Sequence, residues 1–180
     1  MTSKKILYSL ISILFISACG SPTPQADKIS YIPPSKCEET EILAALPADL
    51  TGAAFIPTAW QPAEGTDLKA ILDGGGLACT YGIQQAEIGA TVSWVEDKDG
   101  LFASRAENWK LQGFTEEKLP GISADRIFVI SESAMNAREI HSWTANLLVR
   151  GNWIQISASY IYKNSEATSL VQAAIASLRS

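Results

Sequence analysis

Two long runs of strand-forming residues, 140–150 and 153–162, stand on either side of Gly151-Asn152. A two-residue connection leaves no room for a crossover, so the runs pair antiparallel as a hairpin. That pairing commits the chain to an antiparallel sheet. In the second run Ile154, Ile156, Ala158, Tyr160 and Tyr162 fall on one face, and Gln155, Ser157 and Ser159 on the other. Upstream, Ile88, Ala90, Val92 and Trp94 alternate with Gly89, Thr91 and Ser93, the pattern of a half-buried strand. Ile127-Phe128-Val129-Ile130 is apolar at successive positions, as a central strand requires. Residues 77–81 read as a further strand, 53–56 as a short one ended or confined to an edge by Pro57, and 114–119 as a short one before Pro120-Gly121.

Helices are expected at three places. Ser35 and Glu38 have capping-box spacing, which opens a helix over 37–46 closed by Pro47, with Glu38, Glu39 and Glu41 suited to its positive end. Asp97 or Asp99 caps a second helix, whose Phe102, Ala106 and Trp109 anchor it to the sheet before Gly113 ends it. Asn164 or Ser165 caps the last, with Leu170, Val171, Ala174, Ile175 and Leu178 as its apolar stripe. Residues 61–76 read as loop, with a weak strand or turn around 68–72. No Lys-Ser/Thr pair and no helix follow Gly74-Gly75-Gly76, so the triplet is a turn and not a phosphate cradle. The expected class is α+β: a twisted antiparallel sheet flanked by N-terminal, middle and C-terminal helices.

The first residues read as an address. Lys4 and Lys5 precede an 11-residue apolar run, 6–16, interrupted only by serines and too short to span a bilayer. It ends in Ile16-Ser17-Ala18-Cys19, which resembles the bacterial lipoprotein signal. That resemblance implies cleavage after Ala18 and acylation of Cys19, anchoring the chain in the bilayer at the extracytoplasmic face of the cell membrane. Residues 19–36 hold four prolines and no apolar period, a tether before one domain over 37–180. In an oxidising compartment Cys37 and Cys79 have one possible pairing, closing a 42-residue loop.

The chemistry is sparse. There are 14 Lys+Arg against 19 Asp+Glu, and loss of Lys4 and Lys5 leaves 12 against 19, a net of −7. Such a surface repels phosphate backbones, so no nucleic-acid partner is expected. No GxSxG, HExxH or P-loop occurs, and with one histidine in the chain neither a metal site nor a cofactor is expected. His141 shares the apolar side of its strand with Trp143, Ala145, Leu147 and Val149, which suits packing better than general-base work. Trp94 and Trp109 fit core stripes. Trp153 falls on the polar face and Trp60 in a Pro-rich loop, so both are candidate partner contacts.

The lipobox, the Pro-rich tether, Cys37 opening a helix and Cys79-Thr80-Tyr81 on a strand together resemble actinobacterial lipoproteins of the DUF3558 family. The resemblance implies a PsbP/Mog1-like α+β sandwich and an envelope role without assigned catalytic residues. The expected function is a non-enzymatic, membrane-anchored binding or accessory domain for an envelope protein or small ligand. The alternatives are an envelope hydrolase using His141 with Ser142 or Glu139, and a structural subunit of an envelope complex.

Overall fold

The computed structural model describes residues 30–132 and 141–180; the signal segment, Cys19, most of the tether, Glu139 and Ile140 lie outside them. The expected hairpin is present, with β6 (Ser142–Val149) paired to β7 (Asn152–Ala158). Its turn is Arg150-Gly151, one residue earlier than the composition suggests, and both residues have positive φ, 52° and 75°. A two-residue turn matching strand twist needs that geometry at both positions. Arg150 adopts it while Asn152 turns inward, donating from Nδ2 to the Arg150 carbonyl at 3.1 Å. Alternation along β7 is unaffected.

β7 is the middle strand of the sheet. Around it lie β1 (Ala54–Ile56), β2 (Leu77–Ile83), β3 (Ile88–Glu96), β4 (Thr115–Glu116) and β5 (Arg126–Glu132), in the order β1-β2-β3-β7-β6-β5-β4, all antiparallel. Two meanders, β1–β3 and β4–β7, are joined by the β3–β7 pairing. The expected α+β class with an antiparallel sheet therefore holds. β5 is not central but last but one; it is nevertheless buried on both faces, through Ile127 and Val129 on one and Phe128 on the other. The strand expected over 114–119 shrinks to two residues.

One face carries the larger core. Trp94, Trp143, Leu147, Ile154 and Ile156 pack there beneath α4 (Thr168–Ala176), whose Leu170, Val171 and Ala174 point inward as the stripe predicts. The Trp94 indole N–H donates to the Ala174 carbonyl at 2.9 Å, tying sheet to helix. Neither Asn164 nor Ser165 caps this end of the chain. Glu166 accepts from the Tyr162 and Lys163 amides instead, while Asn164 accepts from Trp143 Nε1 at 2.9 Å.

The expected helix over 37–46 is broken. A 3₁₀ turn, Cys37–Glu39, and a single turn, α1 (Ile42–Ala45), are separated by extended Thr40. Thr40 bonds back to the Cys37 carbonyl at 2.9 Å and to the Tyr81 hydroxyl at 2.6 Å, and Tyr81 itself donates to that carbonyl at 2.7 Å. Side chain to main chain bonds of this kind compete with the helical ladder. Ser35 does not cap; it donates to Glu39. The disulfide holds the turn to β2, joining Cys37 to Cys79.

On the second face α2 (Asp67–Asp73) replaces the loop expected over 61–76. Thr66 caps it by accepting from the Lys69 amide at 3.2 Å, and Ile71 is buried beneath it. Leu68, Ile71 and Leu72 have helical spacing, but the element is only two turns long. Gly74–Gly76 thus follow a helix and close its C-terminal carbonyls, Gly74 bonding to Ala70 and Gly76 to Ile71. That polarity is opposite to the one a phosphate needs. Next to α2 lies α3 (Leu101–Leu111), its first turn capped by Asp97, which accepts from the Phe102 amide at 2.7 Å.

Gly82 and Gly89 face each other across β2 and β3, and a Cβ on either would run into the opposite main chain. Gly89→Ala is expected to destabilise the domain by about 1–3 kcal/mol through overpacking. A lower urea midpoint at unchanged slope checks it.

Candidate functional site: a hydroxyl-lined cavity on the open half of the sheet

Helices α2 and α3 cover only the part of their face nearest the β6–β7 turn, over Val95, Phe128, Leu148 and Trp153. Among the described residues no helix covers the rest, and the register decides what lines it. Thr80 pairs with Thr91, Thr91 with Ser157, and Ser157 with Thr144, so one row of hydroxyls crosses four strands. Thr80 and Thr91 are hydrogen-bonded at 3.1 Å, and Thr144 and Ser157 at 2.9 Å. One step further along the strands lie Gly82, Gly89, Ser142 and Ser159. Ile83, Gln84, Glu87 and Ile88, at the β2–β3 connection, and Ile56 of β1 line a cavity of about 380 Å³ that reaches Thr80, Thr91 and Ser157 of this row, with Thr144 outside it.

Among the described residues the lining holds no Lys or Arg, and apart from His141 its titratable side chains are Glu87 at the rim and Tyr81, whose ring lies in the opposite core. Burial pushes the Tyr81 phenol above its ordinary range, against the hydrogen bond with Thr40. Tyr160, near the strand end, is pushed up to about 12 by burial alone. Hydroxyls in a row offer both donors and acceptors without a charge, and the isoleucines offer apolar surface.

Between the open and covered halves runs a polar network that sequence reasoning did not find. Asp67 of α2 accepts from Trp109 Nε1 at 2.6 Å, Arg105 Nε at 2.8 Å and Gln155 Nε2 at 3.1 Å. Asn146 Oδ1 accepts from Gln155 and from Trp153 Nε1, at 3.1 and 2.9 Å. The three donors to Asp67 come from one helix and one strand, so the carboxylate holds α2 and α3 to the sheet. Only the alternating polar positions Asn146 and Gln155 hinted at it.

The candidate partner contacts resolve differently. Trp153 is fully buried, so it is not a contact surface. The polar face of its strand becomes core near the turn because α3 covers it, and Trp109 lies with its ring centroid 5.3 Å away. Trp109 anchors its helix as expected. Trp60 is half-buried, and its indole N–H donates to the Ala78 carbonyl at 3.0 Å, occupying the edge of β2 where β1 does not reach.

His141 precedes β6 and is 6% exposed. Nε2 is hydrogen-bonded to the Ile161 carbonyl, and the ring stacks on Tyr162 with centroids 4.3 Å apart. Tyr162 is thereby exposed on the outside of the histidine and not in the core. Ser142 sits on the next position of the strand, turned toward the cavity, and no hydrogen bond joins it to His141. The packing reading of His141 is the one the geometry fits. Among the described residues no three His, Cys, Asp or Glu side chains are grouped to hold a metal ion, and no helix is long and apolar enough to cross a membrane. Comparison with known proteins finds no matching family model, curated protein or solved structure.

Proposed function

We propose that the chain is a lipid-anchored lipoprotein of the bacterial envelope whose domain binds a small neutral ligand in the cavity beside the hydroxyl row. The observation that carries the binding half is the row itself. Thr80, Thr91, Ser157 and Thr144 are brought side by side from four strands, and the first three line the cavity on a part of the sheet that no described helix covers. A ligand suited to it has hydroxyl or amide groups along one side and an aliphatic flank for Ile56, Ile83 and Ile88. Among the described lining residues an anion would find no countercharge. The role is non-enzymatic, and the resemblance to DUF3558 lipoproteins supports the same assignment.

Localisation rests on the sequence, through the lipobox ending at Cys19, and the Cys37–Cys79 bridge accords with an oxidising compartment. Cys19→Ser should move the protein from the membrane fraction to the soluble fraction, because the acyl chains that would hold it are lost with the thiol they attach to. Membrane retention of the variant would overturn the anchor. For binding, the lipidated protein is extracted from its own membrane and examined by native mass spectrometry beside Thr91→Trp, which fills the cavity. The expected result is a bound species on the unaltered protein that the variant lacks. Identical spectra, with or without a bound species, would count against the cavity.

A further inference from the structure

Thr80 and Thr91 line the cavity as a hydrogen-bonded pair, 3.1 Å apart and part-buried. Within the pair one O–H is spent on the other oxygen. One O–H and the remaining lone pairs are left for whatever enters. Two positions toward the rim on the same face stand Gly82 and Gly89, so no side chain shades the pair from that side. At the rim Glu87 follows a 3₁₀ turn, Gln84–Ala86, with φ 54° and ψ 29°, left-handed backbone that a residue with a Cβ adopts at a cost in free energy. Ser159 fixes that corner: its Oγ accepts from the Gly89 amide at 3.1 Å, and its amide donates to the Gly89 carbonyl at 3.0 Å. The Glu87 side chain is exposed there, and among the described residues the lining holds no Lys or Arg to neutralise it.

We propose that the ligand of this cavity is a polyol, a short saccharide, presenting a vicinal diol to the Thr80–Thr91 pair and a further hydroxyl to Glu87. This deepens the binding reading above and rests on it. The two oxygens of a gauche vicinal diol stand one hydrogen-bond length apart, as do those of the threonine pair. Both sets hold donors and acceptors, so four hydroxyls close into a ring with every member matched. Other small polar groups fail that count. A trans amide directs its N–H and C=O to opposite sides, so it meets one threonine and not both. An ammonium has donors only and leaves the free O–H of the pair without an acceptor. A carboxylate has acceptors only and is repelled by Glu87. Hydroxyl protons, by contrast, make short, strong bonds to a carboxylate such as Glu87. Ile56, Ile83 and Ile88 supply aliphatic surface for the C–H face of a sugar ring. The volume of about 380 Å³ is at the small end of ligand sites, about 300–1,000 Å³, which suits a short saccharide.

The test is saturation-transfer NMR on the full, lipidated chain in phospholipid nanodiscs. The probes are the methyl glycosides of glucose, mannose and galactose, whose diols cover cis and trans arrangements. Beside them run their fully O-methylated forms, which keep acceptors and lose every donor, and hexanamide. At least one glycoside is expected to show transfer that Thr91→Trp abolishes and that its O-methylated form lacks. Thr91→Val deletes one hydroxyl at nearly constant size and should weaken that glycoside by about two- to tenfold, the worth of one hydrogen bond. Glu87→Gln, which removes the charge and keeps the shape, should weaken it by a similar factor. Transfer to hexanamide that depends on Thr91, with none to any glycoside, overturns the polyol while leaving a binding cavity. So does equal transfer to a glycoside and its O-methylated form. If no probe shows transfer that Thr91→Trp removes, the polyol and the cavity reading fall together.

Discussion

Opening the Cys37–Cys79 bridge, by reduction or by a Cys37→Ser, Cys79→Ser double substitution, is expected to remove about 4 kcal/mol of stability. The figure follows from the closure entropy of a loop whose two cysteines are 42 positions apart. For a domain of this size that is a melting temperature about 8–16 °C lower. The structure adds a reason for the bridge to matter. The segment it holds is only a 3₁₀ turn and one helical turn, too short to be stable alone. Tyr81 and Thr40 hold that segment by hydrogen bonds, but both depend on Cys37 being where the disulfide puts it. Calorimetry with and without reductant reads the difference directly. An unchanged melting temperature would mean that the unbridged chain already keeps this segment in place.

Trp153→Ala is the second large effect, expected to destabilise the domain by about 3–5 kcal/mol, the range for emptying a buried aromatic site. Trp153 sits at the centre of the core beneath α3, against Trp109 and Phe102 with ring centroids 5.3 and 6.3 Å away. Its loss would also strip Asn146 of one of the two donors to Oδ1. Trp153→Phe separates the two contributions. It keeps most of the packing and loses the hydrogen bond, so it should cost about 1–3 kcal/mol. Urea denaturation followed by circular dichroism measures both variants. Losses below about 1 kcal/mol for the alanine variant would show that α3 does not rest on this residue.

Much of the fold was legible from period alone. Alternation around Val92 and Ile154 identified strands, and the stripe through Leu170, Val171 and Ala174 identified α4, because one-sided burial writes its period into the sequence. The cap was legible as Asp97 or Asp99, because a carboxylate just before an apolar helical run has a free amide to accept from, and Asp97 is the one that accepts from Phe102. The helix expected over 37–46 failed where a local rule met a tertiary one: Thr40 had a partner, Tyr81, that lies 41 residues away. α2 was missed for the opposite reason. Two turns give too few residues for a period to stand out, and the three glycines that follow drew attention as a motif when they only terminate a helix.

The site was less legible than the fold. Thr91 and Ser157 were each assigned to a polar strand face, yet nothing in their positions, 66 residues apart, predicted that they would be neighbours. The same holds for Trp153. Its place on a polar face suggested exposure, and the covering helix reversed that.

What the sequence determined by itself was everything set by neighbours within a few residues: the β6–β7 hairpin, the strand faces and the main helical stripes. The tertiary structure decided the rest through a single long-range pairing, β3 against β7. Antiparallel strands accept many partners of similar length and pattern, and the choice is made by which alignment buries both cores at once. That alignment gathered the hydroxyls of four strands into one row, buried Trp153, and brought Tyr31 against the β6–β7 turn.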